Sequence, residues 1–437
     1  MSKSSKVPSG RISRLGKLTG LAAKLAGSAI STGAGQLLKA QKPSLKSTVF
    51  TTNNALSISS KLAQMRGAAM KIGQMLSMDA GEFLPAEWEP ILAQLRQGAD
   101  AMPKSQLLNV LNKNWGPNWM DKFEYFSFEP VAAASIGQVH RARLKSGDDL
   151  AIKVQYPGVA QSIDSDINNV GRLIKLSGAL PPEVNLDKIL EQAKIQLKRE
   201  ADYRQEYQFL QRFAQLVKDD DNFIVPDVNT ALSGEYILAM TYIQGEPLDK
   251  VENFDQQTID HVCHCLMTLT LKELFAFGFM QSDPNFANYF YQADTQKIVL
   301  LDFGACCDIA FDTQTYYKKM AQAMQQQDQQ MMKQAFFDLG LLHPNMPNDV
   351  IEMVLSATLM ASECLQTETY NFKASALVSR LYAHTQGLIR NKKAIASPNF
   401  DTALVNRKIS GMILLANRLG AKLEMRKALA PYLREKD

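Results

Sequence analysis

Three oxygen-bearing side chains in one short stretch constrain this chain more than any other feature. Asp283, Asn288 and Asp302 all lie in FMQSDPNFANYFYQADTQKIVLLDFGA, residues 279–305. Asp283 precedes a proline, and Asp302 opens an Asp-Phe-Gly turn after the apolar run at 297–301. Carboxylate and amide oxygens are hard ligands of the kind that Mg²⁺ takes beside phosphate oxygens. The stretch therefore predicts a magnesium-nucleotide site made of two loops around a short strand.

The order and spacing of these residues match the catalytic loop of protein kinases. Asn288 follows Asp283 by five positions, as in H-R-D-x-x-x-x-N, and Asp-Phe-Gly comes later. One such signal is weak, but three in the correct order are specific. We expect Asn288 and Asp302 to be the metal ligands and Asp283 to be the acid/base or water-orienting residue.

The preceding part of the chain supplies the lysine that such a site needs. Residues 123–157 contain three alternating apolar runs, which predict an antiparallel sheet, and LAIKV places Lys153 in its third strand. A partner carboxylate is expected from a following helix, and Glu200, Asp202 and Glu206 are the candidates. Because Glu206 lies so far along the chain, we predict a helical insert at roughly 158–185. Asp283, Lys153 and Glu206 form the candidate catalytic group.

The expected phosphate loop is rich in alanine. AAASIGQV stands where G-x-G-x-x-G would be expected, and Cβ atoms restrict φ there. The candidate nucleotide-binding residues of this loop and of the strand over 236–243 are Ala132, Ala133, Ala134, Ser135, Lys153, Met240, Thr241, Tyr242 and Ile243. After Gly304 the chain enters a helix without Ala-Pro-Glu, so the platform for a peptide substrate is missing.

These patterns predict an α+β, bilobal, protein-kinase-like fold with an N-terminal helical extension and a helix-rich C-lobe. Strands near 223–228 and 236–243 are expected to complete a five-stranded sheet. The predicted regions are a basic amphipathic segment at 1–46, a helical extension at 47–118, an N-lobe at 119–243 and a C-lobe at 244–437.

Charge is distributed unevenly along the chain. The net charge is +4, but the 78 residues before the first acid, Asp79, carry twelve Lys or Arg, which leaves −8 for the other 359. Residues 11–40 also carry an apolar helical stripe. This segment is interpreted as a helix on anionic lipid, a surface helix packed on its own protein, or a mitochondrial transit peptide.

The remaining features concern membrane spans, the cysteines and a possible zinc site. No run of about 18 apolar residues predicts a transmembrane span. Five cysteines without C-x-x-C suit a reducing compartment. The HVCHC cluster at 261–265 is interpreted as part of a structural helix rather than a zinc site. Cys306 and Cys307 are noted as oxidation-sensitive neighbours of Asp302.

Long motifs resemble those of the UbiB-like, aarF-domain atypical kinases tied to ubiquinone biosynthesis. KIGQ at 71–74 resembles their K-x-G-Q hallmark, AAASIGQVHRA their alanine-rich loop, and EAD at 200–202 their E-x-D motif. The resemblance covers nearly the whole chain. It implies that Lys71 and Gln74 cap the nucleotide, that Glu200 and Asp202 hold this cap, and that Lys153 pairs with Glu206.

The resemblance implies an ATP- and Mg²⁺-dependent atypical kinase or ATPase that supports ubiquinone biosynthesis at a membrane surface. Expected partners are ATP, an anionic membrane, quinone-biosynthesis proteins or lipids and a possible second copy, without nucleic acid. The protein would be cytoplasmic and peripheral to the inner membrane if bacterial, and mitochondrial if eukaryotic. A small-molecule or lipid kinase and a nucleotide-binding pseudokinase scaffold are the alternatives. One departure is QSDPNFAN in place of H-x-D-P-H-P-G-N, so Gln281 replaces the histidine.

Overall fold

A computed structural model describes residues 67–68, 71–73, 75, 101–177, 185–248, 254–390 and 400–434. The basic segment 1–46, most of the predicted helical extension at 47–118 and Gln74 lie outside the described residues. The chain divides into two compact units. The first ends at Gln208 and includes Asp227–Tyr242, and the second takes Phe209–Pro226 and continues from Ile243.

Helices and strands alternate along the described chain. The helices are α1 (Lys104–Trp115), α2 (Val159–Ser177), α3 (Leu186–Glu200), α4 (Tyr203–Val217), α5 (Gln256–Lys272), α6 (Phe311–Gln326), α7 (Gln329–Asp338), α8 (Asn348–Ala361), α9 (Leu377–Arg390), α10 (Phe400–Leu419) and α11 (Met425–Leu433). The strands are β1 (Phe123–Phe126), β2 (Ala132–Ala133), β3 (Gly137–Leu144), β4 (Asp149–Gln155), β5 (Phe223–Ile224), β6 (Ile237–Thr241), β7 (Glu246–Pro247), β8 (Phe279–Gln281), β9 (Tyr289–Gln292), β10 (Lys297–Leu300), β11 (Cys306–Asp308), β12 (Tyr370–Asn371) and β13 (Lys422–Leu423). The content is α+β, as predicted.

A five-stranded antiparallel sheet forms the centre of the first unit. Its order is β1-β3-β4-β6, and β2 pairs with β3. The turn between β3 and β4 depends on Gly147, whose φ of 97° is in the region that favours glycine. Side chains along β3 alternate between buried and exposed over much of its length, because one face of the sheet covers the core. The sheet thereby carries Lys153 on β4.

The helical insert predicted near 158–185 is present. Helix α2 packs against α3, and both lie between β4 and β6 along the chain, as do α4 and β5. Asn185 begins α3 by accepting a hydrogen bond from the backbone N–H of Lys188 at 3.1 Å. This insert accounts for the 53 residues that separate Lys153 from its expected partner.

The predicted strand near 223–228 divides between two sheets. Phe223–Ile224 form β5, which pairs in parallel with β10 in the second unit, whereas Val228 makes an isolated antiparallel bridge to Met240 of β6. In the second unit the order is β5-β10-β9-β7. Two-residue strands carry too little sequence signal to specify a partner, so the tertiary contact decides the pairing. The five-stranded sheet takes β2 instead.

Helices surround the small sheets of the second unit. Helix α5 ends in a π-turn at Glu273–Phe277, and Gly278, with φ of 57°, turns the chain into β8. The HVCHC cluster lies within α5, as predicted. Helix α10 approaches closely enough that a Cβ on Gly411 would lie 2.3 Å from Cβ of Pro284. None of the described helices has the length and apolar character needed to cross a bilayer.

Candidate functional site

Backbone pairing brings the segment around Asp283 beside the Asp-Phe-Gly turn. Strand β8 pairs antiparallel with β11, with Gln281 opposite Cys306. The backbone N–H and the side-chain hydroxyl of Ser282 both donate to the carbonyl oxygen of Ala305, at 3.2 and 2.7 Å. Asp283 therefore leaves β8 next to residues 302–305. The residue as a whole is only 7% exposed.

Asn288 and Asp302 are neighbours across the ladder between β9 and β10. Tyr289 lies opposite Leu300, and the backbone N–H of Leu301 donates to the carbonyl oxygen of Asn288 at 3.0 Å. Asp302 is the next residue, and its Oδ1 accepts a hydrogen bond from the Gly304 N–H at 3.0 Å. An amide and a carboxylate oxygen at the ends of adjacent strands fit Mg²⁺, which takes few protein ligands beside phosphates and water.

The motif H-x-D-P-H-P-G-N has Pro-Gly before its asparagine, whereas this chain has Phe286 and Ala287 there and still forms a tight turn. Asn285 begins it, because its Oδ1 accepts from the Ala287 N–H at 3.2 Å and its carbonyl oxygen accepts from the Asn288 N–H at 3.0 Å. An asparagine side chain that bonds its own backbone two residues on is an ordinary way to form a turn. The turn therefore forms in this chain without the Pro-Gly of H-x-D-P-H-P-G-N, and Asn288 closes it.

Phe303 anchors the Asp-Phe-Gly turn in the core of the second unit. Its side chain is 1% exposed, and its ring lies 5.2 Å from that of Phe213 on α4. Arg212, the preceding residue on α4, pairs with Asp308 of β11 at 2.7 Å. Helix α4 thereby holds both the turn and the strand that follows it.

Lys153 and Glu206 form the expected ion pair in the first unit. The Lys153 Nζ atom donates to Glu206 Oε1 at 2.7 Å and to Oε2 at 2.9 Å. Both residues are buried, with exposures of 6% and 1%. The Nζ atom also lies 5.3 Å from the ring centroid of Tyr203. A bidentate pair of this kind fixes a strand lysine where it can meet a phosphate.

The alanine-rich loop forms a tight turn without left-handed backbone. β2 holds Ala132 and Ala133 against β3, and the Ala134 N–H donates to the Gly137 carbonyl oxygen at 2.9 Å. Within the described chain, positive φ at residues other than glycine is confined to positions 296, 327 and 376. Alanine therefore fits the loop without strain.

The alanine-rich loop is covered by the segment that carries Lys71. A Cβ on Gly67 would lie 2.1 Å from the carbonyl oxygen of Ser135, so only glycine allows this approach. Lys71 is 1% exposed, and its Nζ lies 2.6 Å from Glu200 Oε1. Both contacts lie within the first unit. Gly67 thus contacts the alanine-rich loop, and Lys71, the first residue of K-x-G-Q, contacts the end of α3.

The two acidic residues of the E-x-D motif make different contacts. Glu200 ends α3 and pairs with Lys71, whereas the Asp202 Oδ1 atom accepts from the Gln205 N–H at 3.0 Å, as a cap of α4. Asp202 thus organises the helix that carries Glu206.

The candidate residues at 240–243 lie at the end of β6, where the chain leaves the first unit. Met240 and Thr241 end β6, and the N–H groups of Thr241 and Tyr242 donate to the carbonyl oxygens of Asp227 and Asp149, at 2.8 and 2.9 Å. The unit division falls between Tyr242 and Ile243. These bonds fix the backbone on both edges of the strand as it leaves the sheet.

A buried polar cluster that the sequence did not reveal lies behind Asp283. Lys408 of α10, 2% exposed, donates from Nζ to Tyr289 Oη at 2.8 Å and to Gln281 Oε1 at 3.2 Å. Its Nζ also lies 3.5 Å from Glu273 Oε2, while Glu273 Oε1 accepts from the Gln281 N–H at 3.2 Å. Gln281, which stands in place of the histidine, is thus held on its side chain and its backbone.

Electrostatics of this cluster favour a charged lysine. Burial by itself would lower the pKa of Lys408, but the Glu273 carboxylate beside it raises that pKa above its ordinary value. The ammonium group has hydrogen bonds to Tyr289 and Gln281 and a carboxylate 3.5 Å away, so the buried charge is both bonded and paired.

Arg407, the residue before Lys408, contacts the candidate acid/base residue directly. Its Nη2 atom lies 3.3 Å from Asp283 Oδ1, and the two side chains are 16% and 10% exposed. No sequence signal pointed to Arg407, which lies 124 residues after Asp283.

The cysteines near the site are buried thiols. Burial raises the pKa of Cys306 well above its ordinary value, and it raises those of Cys263 and Cys265 to about 12 and about 11. His261 Nε2 lies 3.1 Å from the Gln296 carbonyl oxygen. Within the described residues, no three His, Cys, Asp or Glu side chains are grouped so that they could hold a metal ion. A protonated, buried thiol reacts slowly with oxidants, so Cys306 is a packing residue.

The chain is similar to one family of kinase-like proteins. A family model described as the ABC1 atypical kinase-like domain matches residues 94–336. The chain is 37% identical to "Atypical kinase COQ8, mitochondrial" of Saccharomyces cerevisiae, over 97% of this chain and 85% of that protein. It is 35% identical to "Atypical kinase COQ8B, mitochondrial" of Danio rerio, over 97% of this chain and 68% of that protein.

A solved structure has the same fold. The Rv3197 protein of Mycobacterium tuberculosis, solved with erythromycin, superposes with a TM-score of 0.61 at 22% identity, covering 95% of this chain and all of that one.

Proposed function

This chain belongs to the ABC1 atypical kinase-like family, and we propose that it binds Mg-ATP and cleaves the terminal phosphoryl group in support of ubiquinone biosynthesis. The observation that carries the proposal is the pairing of β8 with β11 and of β9 with β10. These ladders gather Asp283, Asn288 and Asp302 at adjoining strand ends. Phosphoryl transfer depends mainly on positioning and on charge stabilisation, which fixed strand ends supply.

Each residue has a role in this proposal. Asn288 and Asp302 would hold Mg²⁺, which neutralises charge on the phosphates when it is bound. Lys153, held by Glu206, binds phosphate oxygens, and the turn at 134–137 offers them backbone N–H groups. Asp283 accepts a proton from the attacking hydroxyl or orients the attacking water.

The chain after the Asp-Phe-Gly turn favours a small or absent acceptor over a protein substrate. β11 ends at Asp308 and α6 begins at Phe311, so only two residues separate them. Protein kinases place a long activation loop there. We therefore propose ATP hydrolysis, or transfer to a small molecule or lipid, as the reaction.

The place of action is also part of the proposal. The names of the COQ8 and COQ8B relatives describe those two proteins as mitochondrial. We propose that this protein works beside quinone-biosynthesis proteins or lipids at an anionic membrane surface, either as one copy or as a homodimer.

Phosphate release from ATP tests the proposed reaction. The Asp283→Asn variant should lower kcat by about 10²-fold or more, which is the usual contribution of a positioned acid/base residue. Asp312→Asn is the matched control, because Asp312 is an exposed carboxylate at the start of α6. Equal rates for the wild type and Asp283→Asn would refute the proposal and favour a nucleotide-binding scaffold.

A labelled γ-phosphate distinguishes hydrolysis from transfer. The label should appear as free phosphate if water is the acceptor, and in the lipid extract if a quinone precursor or membrane lipid is the acceptor. Label found mainly on added protein substrates would contradict the proposal that the acceptor is water, a small molecule or a lipid.

A further inference from the structure

Helix α10 lies beyond residues 94–336, which the family model matches, yet it contacts the centre of the candidate site. Its residues Arg407, Lys408 and Gly411 all face the segment 281–289. We propose that Arg407 is a positioning residue for phosphoryl transfer, which orients the Asp283 carboxylate from this C-terminal helix. This inference rests on the proposed function of Asp283.

The contact between Arg407 and Asp283 is partly shielded from water. The distance from Nη2 to Oδ1 is 3.3 Å, and both side chains are less than a fifth exposed. A guanidinium group at this distance stabilises the ionised carboxylate and restrains its rotation.

The two neighbouring contacts of α10 fix the position of Arg407. Lys408 is buried and bonded to Tyr289 and Gln281, so the helix cannot rotate without breaking a buried charged cluster. One turn later, Gly411 lets the helix backbone lie against Pro284. The helix therefore contacts residues on both sides of Asp283, and these contacts fix the position of Arg407, which directly precedes Lys408.

The sequence of the loop explains why a distant arginine is needed. In H-R-D-x-x-x-x-N an arginine and a histidine precede the aspartate, whereas Gln281 and Ser282 stand at those positions here. Ser282 bonds to Ala305, and Gln281 is held by Lys408. Neither residue supplies a cation beside Asp283, and α10 brings one from elsewhere in the chain.

Steady-state kinetics of Arg407 variants test this role. Arg407→Gln should lower kcat for ATP about ten-fold, as expected for the loss of a charge-assisted hydrogen bond. The KM for ATP should change by less than about two-fold, because the proposed contact is to Asp283 and not to nucleotide. Arg407→Lys keeps the charge and should retain part of the lost activity.

A double-mutant cycle asks whether Arg407 acts through Asp283. In the Asp283→Asn background, adding Arg407→Gln should change the residual rate by less than about two-fold. Arg418→Gln, which removes the same charge eleven positions further along α10, is the control and should leave kcat near that of the wild type.

The outcomes separate this inference from the proposed function. A slow Asp283→Asn variant together with an unchanged or faster Arg407→Gln variant would overturn the positioning role alone. An equal fall in both backgrounds would show that Arg407 acts independently of Asp283, and would overturn it as well. If wild type and Asp283→Asn release phosphate at the same rate, the proposed function itself fails.

Discussion

At the scale of single residues, the buried pair of Glu273 and Lys408 supports a prediction about stability. Burial raises the pKa of Glu273, and the charge of Lys408 opposes that rise. Removal of one member of a buried ion pair leaves an uncompensated charge, at a cost of about 3–5 kcal/mol. We therefore expect Lys408→Met to lower the free energy of unfolding by about that amount, measured by urea denaturation.

A second substitution separates this electrostatic effect from lost packing. Glu273→Gln combined with Lys408→Met removes both charges, and it should recover much of the stability that Lys408→Met loses. If the double variant is no more stable than the single one, the loss is due to packing or to the bonds with Gln281 and Tyr289.

Also at this scale, Asp302 is the residue whose proposed role depends on metal. Asp302→Asn keeps an oxygen for the Gly304 N–H, so the turn should remain folded, but it removes the carboxylate charge. We expect ATP to raise the melting temperature of the wild type in Mg²⁺, and to do so much less for the variant. Asp312→Asn should behave as wild type. An undiminished Mg²⁺-dependent shift in Asp302→Asn would refute the metal assignment.

At the scale of elements, helix α10 acts through the closeness of its approach. A methyl group on Gly411 would meet Pro284 at 2.3 Å, and overpacking of this kind costs about 1–3 kcal/mol unless the backbone moves. Gly411→Ala should therefore lower the melting temperature, and it should lower kcat because the helix moves away from Asp283.

The adjacent position provides the control for this substitution. Ser410 is exposed on the same helix, and Ser410→Ala should alter neither the melting temperature nor kcat appreciably. A Gly411→Ala variant with wild-type kcat would show that the position of α10 has no effect on turnover.

At the scale of the whole molecule, the basic segment 1–46, for which a helix on anionic lipid is one of three interpretations, lies outside the described residues. Residues 1–46 carry nine Lys or Arg and no acid. Each basic residue near anionic lipid contributes roughly 1 kcal/mol, in addition to burial of the apolar stripe. We expect anionic liposomes to raise ATP turnover, high salt to remove the increase, and deletion of 1–46 to abolish it while basal turnover remains.

Flotation of the full-length and shortened proteins with liposomes gives the direct comparison. Uncharged liposomes are the control for the vesicle surface. If the shortened protein floats and responds as the full-length protein does, residues 1–46 do not recruit it to the membrane, and a transit peptide or a packed surface helix remains.

The sequence by itself determined the order of the chemistry along the chain. The positions of Lys153, Asp283, Asn288 and Asp302 could be predicted because local spacing encodes strands and turns, and a turn fixes the residues within it. The helical insert could be predicted from one number, the separation of Lys153 and Glu206 along the sequence. These features are local, or depend on chain length, and therefore leave a readable pattern.

Only the tertiary structure decided which distant residues complete the site. Arg407 and Lys408 reach Asp283 and Gln281 across more than 120 residues of chain. A lone arginine or lysine in a helix carries no sign of its partner, because most such residues are solvated. The parallel pairing of β5 with β10 was missed for the same reason: two residues bury too little surface to specify a neighbour, and the packing around them makes the choice.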